Sequence, residues 1–192
     1  MVKLSYSKKS KPQDNKETTE VHPLTEKEKK ELQKTFSIGD TVVYPYHGIG
    51  KIERVEEHKI GDRDVSFFVI YIPTTKMSIS IPFEQVKSKC IRHLISKEEL
   101  ESSLVHLHDK PENTNCDWKV RQQINNELVK NGDVLSTIKV IISLHSRNKD
   151  KDLPLQERRL YDSSIAMLVT EMALVYDITV KEANKRLKEL LP

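Results

Sequence analysis

Cysteine is nearly absent from this 192-residue chain: Cys90 and Cys116 are its two, and neither falls in a Cys-x-x-Cys pair. A disulfide framework is therefore excluded, and a reducing cytoplasm is the expected compartment. Long apolar runs are missing too. No stretch approaches the roughly 18 residues that a bilayer crossing needs, so no membrane association is expected. The opening Met1-Val2-Lys3-Leu4-Ser5-Tyr6 leads into Ser7-Lys8-Lys9 without the apolar core of a secretory signal. Aromatic residues make up only 6%, with a single Trp, and four of the five glycines (Gly39, Gly48, Gly50, Gly61) lie close together.

Charge is what the chain has in quantity. Asp, Glu, Lys and Arg make up 32%, yet the net charge is only +3. Its placement is uneven. Residues 93–117 hold two basic and six acidic side chains, whereas residues 118–159 hold nine basic and five acidic. That asymmetry permits a polyanionic partner without demanding one.

Composition divides the chain in three. Residues 1–35 form a charged tail expected to be flexible, because it has too little apolar surface to offset the entropy of ordering. Thr25-Glu26-Lys27-Glu28 is a capping box, so a short helix can start there. The lysine clusters Lys8, Lys9, Lys11 and Lys27, Lys29, Lys30 read as solvated surface in preference to nonspecific phosphate contacts. Residues 36–92 alternate short β-branched and aromatic runs with turns. Thr41–Tyr44 ends at Pro45, Gly50–Glu56 alternates, Val65–Ile72 is a strong strand, and Met77–Ile81 alternates again before Pro82. Gly61-Asp62 reads as a hairpin turn between two of them. Short strands and tight turns in so little chain predict a small, strongly bent antiparallel β-barrel.

From Ser96 the apolar period lengthens to that of a helix. Ser96-Lys97-Glu98-Glu99 is a capping box, with Leu100, Leu104 and Leu107 following. Asp117 caps a second helix that Asn131-Gly132 stops, and Asp133 caps a third that fades near His145. Pro154 suits the first turn of a fourth, and Thr179-Val180-Lys181-Glu182 caps a last one ending at Leu191. The predicted fold class is thus α+β in two domains: the β-barrel over residues 36–92, then an all-α bundle over 93–192.

Catalytic chemistry is hard to find. Gly48-Ile49-Gly50-Lys51 lacks the spacing of a phosphate loop and joins strand to strand, so it reads as a turn needing positive φ. His106 and His108 are two apart on a predicted helix and point to different sides, so no metal site is expected. Cys90 and His93 bracket the domain junction, where a buried structural thiol is the better reading. No cofactor is indicated. Trp118 stands out: it opens a helix in a polar stretch, with Lys119 and Arg121 close behind. It is either a core anchor between helices or an exposed wedge flanked by cations that packs against nucleic acid, and the residues leave both open. Positive potential in this half comes from Lys119, Arg121, Lys139, Arg147, Lys149, Lys151, Arg158 and Arg159.

The run Phe36-Ser37-Ile38-Gly39-Asp40-Thr41-Val42-Val43-Tyr44-Pro45-Tyr46-His47-Gly48-Ile49-Gly50 resembles the opening of the CarD/CdnL family of bacterial transcription factors. Ser66 to Ile72, Met77 to Pro82, Asp117-Trp118, and Lys151-Asp152-Leu153-Pro154 with Glu157-Arg158-Arg159-Leu160 match in order, so the resemblance covers about residues 36–190. It implies a Tudor-like barrel that docks on the RNA polymerase β subunit through Val69, Ile79, Ser80, Ile81 and Pro82. It also implies a helical domain that meets promoter DNA at the upstream edge of the melted bubble. There Trp118 wedges from the minor-groove side and stabilises the open complex, for example at ribosomal RNA promoters, with little sequence preference. The protein is then a monomer acting at the nucleoid through the polymerase. Two positions depart from the family: Val120 and Gln123 stand where basic residues are usual, which implies weaker DNA affinity. The competing readings are a general nucleic-acid-binding module not tied to polymerase, and an enzyme, for which no constellation of residues is found.

Overall fold

The computed structural model of the chain describes residues 24–111 and 116–192. Most of the expected tail, residues 1–23, lies outside the described residues. The tail's last ten residues are helical. Helix α1 (Glu26–Thr35) opens on the capping box, Thr25 accepting from the Glu28 amide while the Glu28 carboxylate accepts from the Thr25 amide. Leu32 and Phe36 bury themselves in the barrel core, so α1 packs on the β domain. The apolar signal was too sparse to show this, because Leu24, Leu32 and Phe36 are spread over thirteen residues.

Five antiparallel strands come next: β1 (Thr41–Tyr44), β2 (Gly48–Ile60), β3 (Arg63–Ile72), β4 (Met77–Pro82) and β5 (Arg92–His93). They lie in the order β4-β3-β2-β1-β5. A bulge between Ile52 and Arg54 breaks the β2–β3 register and bends the sheet. No ladder joins β4 to β5 among the described residues, so the sheet curls around its core without closing. Val42, Ile52, Phe68, Ile70, Ile72 and Ile81 face that core, and the rings of Phe36, Phe68 and Phe83 meet in sequence through it, at centroid distances of 6.1 Å and 4.2 Å. Gly48 has φ +103°, the turn conformation that the β1–β2 connection demands.

The helical half contains α2 (Lys97–Leu104), α3 (Trp118–Asn131), α4 (Val134–Asp150), α5 (Leu155–Tyr176) and α6 (Val180–Leu190). The predicted caps at Ser96, Asp117, Asp133 and Thr179 each accept a backbone N–H bond. Helix α4 runs past His145 to Asp150. Its last turns persist because they pack on α5, with His145 Nδ1 2.8 Å from the Tyr161 hydroxyl. One core gathers Leu100, Leu104, Leu107, Ile138, Ile141, Leu168, Met172 and Leu187.

The two halves are joined by an apolar seam and a polar clamp. Val43 and Ile49 of the sheet pack with Met167 of α5 and Leu94. Beside them the Arg92 guanidinium on β5 donates to both Glu171 oxygens, at 2.6 Å and 2.9 Å, and through Nε to the Gly132 carbonyl at 2.7 Å. Glu171 is 2% exposed. Gly132, the left-handed C-cap of α3, sits where a Cβ would lie 2.7 Å from Pro45 Cγ and 3.0 Å from the Cys90 carbonyl oxygen. Backbone conformation and lack of space both require glycine there. Cys90 itself is half-buried rather than fully buried, so its thiol is not the sealed core group expected.

Candidate nucleic-acid interface

Asp117 fixes the start of α3 by accepting from the Lys119 amide at 2.8 Å. Trp118 is therefore the first helical residue, and its ring is 49% exposed. That exposure excludes the core-anchor reading. The Lys119 ammonium stands 5.7 Å from the centre of the indole, where it offsets some of the cost of an exposed ring and keeps a positive charge beside it. The N-terminal end of α3 adds unpaired N–H groups and the positive pole of the helix dipole.

Tyr46, in the β1–β2 turn of the β domain, comes to the same face of α3. Its hydroxyl donates to the Asn126 carbonyl, its ring is 49% exposed, and its backbone is held at φ +64°. Partial burial pushes its phenol pKa up. Between Tyr46 and Trp118 runs an open groove of about 420 Å³, floored by Gln122, Gln123 and Asn126 and flanked by Lys119, Lys130 and Glu127. Next to Tyr46, burial first and the charge of Lys89 second depress the His47 pKa, and the His47 ring lies 4.3 Å from that of Tyr44. Sequence reasoning did not single out Tyr46 as a site residue. The available signal was an aromatic side chain within a Pro-x-x-Gly turn, Pro45-Tyr46-His47-Gly48, where an exposed ring has little packing reason to be.

The expected cations do not form one patch. Arg121 is 2% exposed, and its Nε and Nη2 donate to one oxygen of Glu157, itself 2% exposed, at 2.9 Å and 2.7 Å. It is an internal strut between α3 and α5, not a phosphate contact as the sequence suggested. Arg147 points at the same carboxylate, with Nε 3.4 Å from its other oxygen, and Lys149 donates to the Pro192 carbonyl. Lys139 stands beside His106, Asn125 and Leu128, residues absent from the Trp118–Tyr46 groove. What remains near Trp118 is Lys119 with the α4–α5 corner, which carries exposed Lys151 and Arg159 and half-buried Arg158. That corner is drawn to α3 by the Arg121–Glu157 pair and by a 2.6 Å bond from Gln122 to Gln156.

The sheet offers a second surface at β4, an edge strand paired only to β3. Ile79 and Ile81 turn inward and Ser78 and Ser80 outward, with Pro82 closing the strand half-buried. Of the five residues that the resemblance assigns to docking, Ser80 is exposed, Ile79 and Pro82 are partly so, and Ile81 is 2% exposed. Val69 is 1% exposed on β3, opposite Ser80, so its side chain cannot meet a partner as expected and serves the sheet instead. His106, one of the paired histidines, lies on the surface 2.7 Å from Asp109. No group of three or more His, Cys, Asp or Glu is placed to hold a metal among the described residues.

A sheet with an open edge, clamped to a helical domain that shows a Trp at the tip of a helix, defines a two-domain α+β protein. Comparison with known proteins narrows this class. Residues 36–95 match the CarD-like/TRCF RID domain and residues 103–188 the CarD C-terminal domain. The chain is 30% identical over 148 residues to the "Putative transcription factor YdeB" of Bacillus subtilis (strain 168), a match covering 77% of this chain and 96% of that protein. The chain belongs to the CarD-like family and is a transcription regulator.

Proposed function

We propose that the chain docks on the RNA polymerase β subunit through the outer edge of β4 and contacts promoter DNA at the upstream edge of the bubble with Trp118, stabilising the open complex. The observation that carries this reading is the half-exposed indole on the first turn of α3, next to Lys119. An exposed Trp is costly to keep unless something packs against it, and an aromatic wedge resists the closing of a base pair by filling its space. The unpaired amides and carbonyls of β4 suit strand addition, in which the main chain supplies affinity and the outward side chains supply fit. With Val69 and Ile81 inside and Ile79 turned toward the core, the fit falls to Ser80 and Pro82. The protein works as a monomer in the cytoplasm on this reading, and its regulatory effect comes from two attachments held at a fixed distance.

Polymerase recovery tests the first attachment. Pro82→Glu is expected to weaken capture of purified core polymerase by at least about tenfold, the loss of roughly 1.4 kcal/mol of edge fit, while the helical domain keeps its circular dichroism. Capture at full strength would move docking off β4. Retained DNA binding with no polymerase capture by the wild type would favour a general nucleic-acid module.

Salt dependence tests the second. Binding to duplex DNA alone is expected to be weak, indifferent to sequence, and to fall steeply with salt because phosphate contacts release counterions. Lys119→Ala is expected to lower the slope of log K against log salt by about one, whereas Arg121→Met combined with Glu157→Met, which strands no buried charge, leaves it unchanged. A drop in slope for that folded double variant would mean that the strut opens to reach phosphate.

A further inference from the structure

We propose that the groove between Trp118 and Tyr46 seats one unpaired nucleotide, its base packed against the two rings and its phosphate toward Lys119 and Lys130. This rests on the reading of Trp118 as a wedge and extends it, from opening a base pair to holding a nucleotide that the opening releases.

The groove has the makings of such a seat. Its volume of about 420 Å³ lies within the range of small-ligand clefts. Trp118, Gln122 and Asn126 recur at intervals of four along α3, so they share one face, and the Tyr46 hydroxyl reaches the last of them about 12 Å from the first. Each end is an aromatic residue left half exposed, 49% in both cases. A ligand flat on both faces with a phosphate attached matches them; an aliphatic peptide would leave the lysines unused. Charge favours an anion, with two lysines against Glu127, whose Oε1 is engaged by the Gln123 amide at 3.2 Å. The Asn126 side-chain amide carries both a donor and an acceptor, as a base edge requires. Stacking on aromatic rings tolerates any base, which agrees with weak sequence preference.

Tyr46 is held for the purpose at some expense. Positive φ is uncommon for a bulky residue and is strained unless its surroundings fix it. Here the turn fixes it, closed by the His47 amide donating to the Tyr44 carbonyl at 3.1 Å, while the hydroxyl bond to α3 orients a side chain that stays half exposed. Because Tyr46 belongs to the β domain and Trp118 to the helical domain, the seat exists only with the two halves in register.

The full chain contains one Trp, so its fluorescence reports the site directly. Titration compares a forked duplex having an unpaired arm with a blunt duplex of the same paired sequence, at low salt. The wild type is expected to bind the fork more tightly, by between about fivefold and about a hundredfold, the range of one stacked base, with Trp118 quenched. Tyr46→Phe keeps that preference because the ring stacks. Tyr46→Asn loses it while keeping duplex affinity, and Asn accepts positive φ, so the fold is retained and melting verifies this. Fork preference surviving in Tyr46→Asn, but lost in Trp118→Ala (read from the anisotropy of end-labelled DNA, since that variant has no Trp), overturns the seat and leaves the wedge standing. Loss in Tyr46→Phe as complete as in Tyr46→Asn also overturns it, since the hydroxyl pin and not the ring would then matter. If neither DNA perturbs Trp118 in the wild type, wedge and seat fall together.

Discussion

Trp118→Ala is expected to shorten the lifetime of promoter open complexes by on the order of tenfold or more, since unstacking a base step costs a few kcal/mol and the indole offsets part of that only while inserted. The same variant is expected to lower the stability of the free protein by less than about 1 kcal/mol, the scale for surface substitutions. The asymmetry comes from exposure. A ring 49% exposed has half its area in water already, and truncating it opens no cavity. A Trp buried between α3 and its neighbours would behave in reverse, losing about 3–5 kcal/mol of folding stability. Dissociation of open complexes after competitor challenge, and a thermal melt of the same protein, check both halves. An unchanged lifetime with a collapsed melt would sink the wedge.

Why some of the fold and site was legible in the sequence and some was not comes down to which signals carry distance information. Caps and turns are local, so Ser96, Asp117, Asp133, Thr179 and the Gly61-Asp62 turn announce themselves, and the structure places elements at each. Strand alternation likewise gives β4 its inward Ile79 and Ile81. The failures are residues whose fate depends on a partner far along the chain. Arg121 reads as a surface cation beside Trp118, yet the buried stripe of α3 is Arg121, Asn125 and Val129, two of them polar, so hydropathy passes over it. Its burial is intelligible only with Glu157, thirty-six residues on. Val69 sits in a run of apolar residues buried on both sides of the sheet, where alternation gives no clue to which face a partner could reach. Tyr46 depends on Asn126, eighty residues away.

The largest effect on stability is expected at the clamp between the domains. Arg92 lies on β5, at the opposite edge of the sheet from β4, so the strand proposed for docking and the Arg92 clamp to the helical domain sit on opposite edges of one five-stranded sheet, which acts as a spacer on that reading. A hydrogen-bonded sheet holds the relative position of its edges far better than a linker would. The spacer transmits position only if its junction with α5 is stiff. Arg92 suits that role because its planar fork meets Glu171 with two parallel bonds while Nε takes the Gly132 carbonyl, so three elements are fixed by one side chain. Arg92→Met strips Glu171, 2% exposed, of its counter-charge and leaves a buried carboxylate uncompensated. The expected cost is about 3–5 kcal/mol in urea unfolding. Replacing both partners, Arg92→Met with Glu171→Met, removes the stranded charge and is expected to recover much of that loss, as buried ion pairs exchanged for apolar groups commonly do. The double variant then separates stability from geometry. It should fold, bind polymerase, and still shorten open-complex lifetime, because the seam of Val43, Ile49, Met167 and Leu94 restores packing without restoring the directional bonds that aim α3. Full open-complex lifetime in the double variant would show that the apolar seam alone sets the angle between the domains.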